Sequence, residues 1–246
     1  MIIYGINPVM EALRAGRVKE VRVADRAGGR LADVMKLARE RGVRTRRVPA
    51  EALERESRRG VHQGVVADVD EADSYGVEDL VRGAKAAPLI VVLDSIEDPH
   101  NVGAILRTAD AAGVDGVIRQ SRRAASLAGA AAKASAGAVA HVRIAEVVNI
   151  ARALEELKEA GVWTVGLDGN ADTPYDAVDY TLPTAIVLGA EGSGLRRLVR
   201  ERCDRLASIP MQGHVESLNV SVAAGVTLFE AVRQRRSGRT YGRDGA

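Results

Sequence analysis

From Pro88 onward the chain repeats a strand, helix, strand rhythm, and that rhythm limits the fold more than any other feature. Leu89-Ile90-Val91-Val92-Leu93-Asp94 opens it as an unbroken apolar run, strand-sized and far short of the roughly 20 residues of a membrane helix. A strand apolar on both sides needs both faces covered, as in a parallel sheet flanked by helices. Helical spacing follows over about 101–112, 124–135, 147–160, 195–203 and 218–235, with strands near 116–118, 162–167, 185–188 and 206–209. This alternation predicts a parallel α/β domain over residues 88–246.

The preceding residues read as a smaller α/β domain. Pro8 sits where a first helical turn tolerates it, ahead of a helix over 9–14. Val21 and Val23 alternate with charged neighbours in a half-buried strand over 18–24, and 65–69 reads as a last strand. Between them Leu31, Val34, Met35 and Ala38 keep helical spacing, closed by Gly42. The acidic, turn-rich stretch 70–76 then marks an edge, giving a domain over 1–72 and a linker over 73–87. The block 128–140 holds eight alanines in thirteen residues, which predicts a tightly packed helix.

One cysteine, Cys203, excludes a disulfide framework and a cysteine-built zinc site, and no metal is expected. The N-terminus lacks the basic-then-apolar layout of a signal peptide, so the expected location is the cytoplasm, with no membrane association. Net charge is only +2, but it is unevenly spread. Residues 14–59 carry 15 Lys/Arg against 7 Asp/Glu, and residues 196–243 carry 10 against 4. Such segments can neutralise phosphates, or form an ordinary solvated face. With five Tyr, one Phe and one Trp, a multi-ring stacking platform for nucleic acid is not expected.

Ligands of an open parallel sheet bind outside the carboxyl ends of its strands, and three such loops carry unusual polar residues. In the first, Asn101 lies at the expected helix start and Arg107 about two turns on, facing the strand ends; a cap and a solvated arginine are the plain alternative. In the second, Gly189-Ala190-Glu191-Gly192-Ser193-Gly194 places three glycines in six residues. That order, G-x-x-G-x-G, is not the dinucleotide fingerprint, and no acidic residue follows an early βαβ unit as a dehydrogenase needs. In the third, Ile209 to Val222, Ser217 reads as the helix cap, with Asn219 and Ser221 in the first turns. Leu218, Val222, Gly225, Val226 and Phe229 read as the packed stripe of that helix. His100 and His214 read as loop residues, and Cys203 as a helix residue.

Together the three loops resemble the motifs of the SpoU (TrmH-like) RNA ribose methyltransferases of the SPOUT superfamily. The patterns N-x-G-A-I-x-R, L-G-A-E-G-x-G and I-P-M-x-G-x-x-x-S-L-N-V-S-V-A-x-G occur in that family's order, between about Leu89 and Arg236. The opening Y-G-x-N-P-V-x-E-A-L is similar to the RlmB-like branch, which methylates guanosines of 23S rRNA. The resemblance implies a C-terminal parallel sheet with a deep trefoil knot, an exception to unthreaded topology. It also implies a small N-terminal RNA-recognition domain like kink-turn-binding ribosomal proteins, S-adenosylmethionine as methyl donor and a homodimer. Carried over by motif, Gly189, Ile209, Met211 and Leu218 hold the donor. Arg107, Asn101, Glu191, Ser217 and Asn219 form the catalytic set, with 23S rRNA the expected substrate. A tRNA substrate, or a non-catalytic RNA-binding module, is the alternative.

Overall fold

The computed structural model describes residues 1–25, 29–57, 60–69, 75–121, 127 and 130–240. Of the expectations above, the acidic stretch 70–74 and the beginning of the helix expected from 124 lie outside the described residues. The chain forms two compact units, one of Met1–Ala72, Asp98–Arg107 and Ala125–His141, the other of Asp73–Glu97, Thr108–Ala124 and Val142–Ala246.

The first unit has strands β1 (Ile2–Tyr4), β2 (Val18–Ala24), β3 (Arg44–Val48) and β4 (Val65–Val69), with helices α1 (Ile6–Arg14), α2 (Arg30–Glu40) and α3 (Ala50–Glu56). The sheet order is β1-β4-β2-β3. Its strands pair antiparallel except β2 with β3, which is parallel. Val9 and Leu13 of α1 and Val34 and Ala38 of α2 share a buried cluster with Val21, Val23, Val65 and Ala67. Successive side chains of a strand point to opposite faces, so Arg22 lies on the other face, where it bonds Glu56 of α3 at 2.7 Å. The alternation read in β2 follows from these two coverings. β1, β3 and α3 were not expected. β3 is an edge strand whose sequence, RTRRV, buries none of its residues fully, so no apolar period announces it.

The second unit has helix α4 (Val77–Arg82) and strand β5 (Leu89–Leu93), and then α5 (Pro99–Ala112), which begins in the first unit. Strands β6 (Gly116–Gln120) and β7 (Ile144–Val147) follow, with α6 (Ala130–Ala134) of the first unit between them. Then come α7 (Ile150–Glu159), β8 (Trp163–Leu167), β9 (Thr184–Leu188), α8 (Arg197–Arg202), β10 (Arg205–Ala207) and α9 (Val220–Thr240). The six strands run in the order β10-β8-β9-β5-β6-β7, every pair parallel. All five residues of β5 and of β9 are buried, the condition that the apolar run at Leu89 demanded. The stretch expected as a linker carries α4, whose Val77 and Leu80 sit in the core with Ile90, Ile118, Ile150 and Leu154.

Several helix boundaries differ from the sequence reading: α1 starts at Ile6 rather than at 9, and α9 runs over Val220–Thr240 rather than 218–235. α7 starts at Ile150 behind Asn149, whose side chain accepts the Arg152 N–H, because Val147 is spent in β7. α8 is only six residues long and Cys203 lies just past it, where its thiol donates to the Val199 carbonyl. α5 starts at Pro99 rather than near Asn101. Asp98 accepts the His100 N–H at 3.0 Å, so His100 is in the helix and Asn101 does not cap it.

Candidate active site

The chain steps from β5 outward through β6 to β7, then crosses to β8 and fills the gap between β8 and β5 with β9. A reversal of that kind leaves a crevice at the carboxyl ends of the strands. A cleft of about 710 Å³ lies there, walled by the residues that follow β8, β9 and β10 and by the start of α9.

The wall after β9 is a closed loop. Ala190 and Gly194 exchange both backbone hydrogen bonds, at 3.0 and 2.9 Å. Each glycine has a separate reason. A Cβ on Gly189 would stand 2.2 Å from the Gly194 carbonyl carbon, so the loop closes only because that atom is missing. Gly192 and Gly194 have φ of 78° and 66°, a region side chains disfavour. The loop is then pinned by Arg196, whose backbone N–H and guanidinium both bond the buried Asp94.

Across the cleft, Asn219 caps α9. Its carboxamide oxygen accepts the Ser221 N–H at 2.9 Å and the Ser221 hydroxyl at 2.6 Å, and its amide donates to Glu191 at 2.5 Å. The cap expected at Ser217 is therefore corrected: Ser217 lies two residues before the cap, in an exposed loop. Gly189, Ile209, Met211 and Leu218, the expected donor residues, all line this cleft, as do Glu191, Ser217 and Asn219. Asn101 and Arg107 belong to α5 in the first unit, Asn101 buried and Arg107 exposed.

The stripe expected on α9 is corrected as well. Val220, Ala224, Leu228 and Ala231 are the buried apolar positions, with Thr227 buried beside them, whereas Val222 and Phe229 are each 50% exposed. The helix is apolar on two sides, so periodicity alone could not say which side the subunit covers.

The loop after β8 adds residues the sequence reading missed. Asp168 takes a 2.5 Å bond from Arg200, which holds its carboxyl below the usual carboxylate range, and both line the cleft with Asn170. The rule that singled out the other loops applies equally after Leu167, and only the absence of a glycine cluster hid this one.

A sulfonium methyl donor fits these walls. Clefts of roughly 300–1,000 Å³ suit ligands of that size. Leu188, Ile209, Met211 and Leu218 offer apolar surface, while Glu191 and Glu216 offer negative charge to a cationic ligand. Among the described residues no group of three His, Cys, Asp or Glu is placed to hold a metal ion, and no helix is long and apolar enough to cross a membrane.

Comparison with known proteins gives the family. Residues 88–229 match the model of the SpoU rRNA methylase family, and residues 2–75 match that of the RNA 2′-O ribose methyltransferase substrate-binding domain. The chain belongs to the SpoU rRNA methylase family. It is 47% identical over 239 residues to the 23S rRNA (guanosine-2′-O-)-methyltransferase RlmB of Xylella fastidiosa, covering 95% of this chain and 96% of that one. It is 46% identical over 241 residues to an uncharacterized tRNA/rRNA methyltransferase of Mycolicibacterium gilvum, covering 96% and 77%. The crystal structure of the SpoU methyltransferase AviRb from Streptomyces viridochromogenes, in complex with AdoMet, superimposes with a TM-score of 0.80 at 29% identity, covering 97% and 91%. As a SpoU family member the chain is a methyltransferase that uses S-adenosylmethionine, on the α/β fold described above.

Proposed function

We propose that this protein methylates the ribose 2′-hydroxyl of a guanosine in 23S rRNA, working as a cytoplasmic homodimer. Residues 1–72 recognise the RNA, 73–87 join the parts and 88–246 carry the chemistry. The observation that carries this reading is the cleft in which Gly189, Ile209, Met211 and Leu218 stand with the Glu191–Asn219 pair, in a chain nearly half identical to a guanosine-2′-O-methyltransferase of 23S rRNA.

The bound donor supplies an electrophilic methyl on a sulfonium. Gly189, Ile209, Met211 and Leu218 hold it, largely through backbone groups, which is how apolar residues serve as binding residues. A ribose hydroxyl is a weak nucleophile at neutral pH and must be oriented and relieved of its proton. Arg107 orients the hydroxyl, whose proton passes to solvent water, with Asn101, Glu191, Ser217 and Asn219 arranging the sugar and phosphate. An arginine stays protonated in proteins, so Arg107 stabilises oxyanion charge as it develops rather than acting as a literal base. The half-exposed Val222 and Phe229 on α9 support the homodimer, since apolar side chains on an outer helix face are suited to a partner surface. The trefoil knot implied by the resemblance is part of the same reading.

Mass-spectrometric mapping of ribose methylation in rRNA and tRNA, from cells with and without the protein, tests the proposal. The expected result is one 23S guanosine that loses its methyl group; methylation lost from tRNA, or from no RNA, overturns it. Replacement of Arg107 by Lys is expected to leave donor binding intact and to lower turnover about 100-fold.

A further inference from the structure

The exposed edge of the first unit's sheet is a strongly cationic face for which the catalytic reading has no use. Six of the twelve residues from Lys36 to Arg47 are Lys or Arg, and one, Glu40, is acidic. β3 is the outermost strand. Arg44 and Arg46 alternate along it and so share a face, about 7 Å apart, with side chains 77% and 58% exposed. Among the described residues the one carboxylate near them is Glu20, at 3.6 and 4.0 Å, and Arg22 already holds that same side chain at 2.8 Å. Lys36, Arg39 and Arg41 belong to the side of the sheet that α2 covers, opposite Arg44 and Arg46. Arg47 points to the other face and donates to the Asp25 carbonyl at 2.7 Å.

We propose that the outward face of this edge, carried by Arg44 and Arg46 of β3, is a phosphate-binding face that grips the RNA backbone. The inference rests on the RNA methyltransferase reading and adds the surface that holds the substrate away from the reacting sugar. Two features favour a nucleic acid over an acidic protein. Both cations of this face are arginine, whose planar fork matches phosphate oxygens two at a time. A protein interface is anchored by buried apolar or aromatic side chains, and residues 36–47 expose no large apolar side chain. Contacts of this kind position an RNA without reading its sequence.

The salt dependence of RNA binding tests the proposal on the full chain. The probes are a 23S rRNA transcript, a short RNA hairpin of unrelated sequence and an acidic polypeptide, polyglutamate. For R44Q/R46Q the slope of log K against log salt is expected to fall in magnitude by about 1 to 2, since each phosphate contact contributes about 0.7–0.9. At low salt the affinity for both probes is expected to fall about tenfold. R44K/R46K should restore most of the slope, which separates lost charge from damaged folding, and calorimetric binding of S-adenosylmethionine should match the wild type in both variants. An unchanged slope and affinity in R44Q/R46Q overturns this face as an RNA site, as does a loss confined to an acidic polypeptide probe. The methyltransferase reading fails by a different sign: no ribose methylation by the wild-type protein, whatever its slope.

Discussion

The carboxylate of Asp94, fully buried at the end of β5, holds Arg196 by its backbone N–H at 2.9 Å, its Nε at 2.7 Å and its Nη2 at 2.6 Å. The two residues are 102 positions apart, and the contact fixes where the glycine loop ends. Asp94 is buried but the Arg196 side chain is 46% exposed, so water can replace part of the guanidinium's contact when it is removed. Arg196→Ala is therefore expected to lower unfolding free energy by about 2 kcal/mol and to weaken donor binding. Chemical denaturation and calorimetry check this, and a stability loss under about 0.5 kcal/mol would show that Asp94 is satisfied without the guanidinium.

Gly189 stands against the backbone of Gly194, and an added Cβ would approach to 2.2 Å. Overpacking of that kind costs about 1–3 kcal/mol, and here it also opens the loop. Gly189→Ala is expected to abolish measurable donor binding. Gly213→Ala, whose Cβ meets nothing within 4 Å, should keep wild-type thermal stability. Donor binding by Gly189→Ala at wild-type affinity would refute the close-approach argument.

Asn219 has two duties that substitution can separate. Its oxygen caps α9 and its amide donates to Glu191. Asn219→Asp keeps the cap but loses the donor, so it is expected to fold normally and to turn over about 100-fold more slowly. Asn219→Ala should lose about 1 kcal/mol of stability in addition. Equal turnover by Asn219→Asp and wild type would remove the Glu191 contact from the mechanism.

Burial pushes the Cys203 thiol from its ordinary value near 9 up to about 12. The native protein then binds more protons than the unfolded chain between those values, so this group's contribution to stability falls as pH rises from about 9 to 12. Thiol-specific reagents at pH 8 are expected to label Cys203 slowly when folded and quickly in denaturant. Fast labelling of the folded protein would show that the site opens locally.

The Tyr180 side chain is completely buried, and its hydroxyl finds no hydrogen-bond partner among the described residues. An unpaired buried hydroxyl carries a desolvation cost of about 1–3 kcal/mol. Tyr180→Phe removes that cost at nearly the same volume, and is expected to raise stability by about 1 kcal/mol in thermal or denaturant melts. A destabilised Phe variant would mean that the hydroxyl is satisfied in solution.

Much of the second unit is legible in the sequence alone. The run at Leu89 is apolar on both faces, and only a covered parallel strand uses such a pattern, so β5 and its neighbours followed within a few residues. The glycine loop was visible by composition, although the separate purpose of each glycine was not. The first unit was read less completely, because β3 is solvated on its edge and carries arginines where a strand signal needs alternating apolar residues. β1, three residues long, is shorter than any period can reveal.

Residue order alone determined the alternation of elements, the three loops and the kinship of their motifs, because each is a property of neighbours along the chain. Tertiary structure decided which loops share a wall, that Asn219 rather than Ser217 caps α9, and that Val222 and Phe229 face outward. Those outcomes depend on side chains that are remote in sequence, such as Asp94 with Arg196, and local periodicity carries no term for partners so far apart.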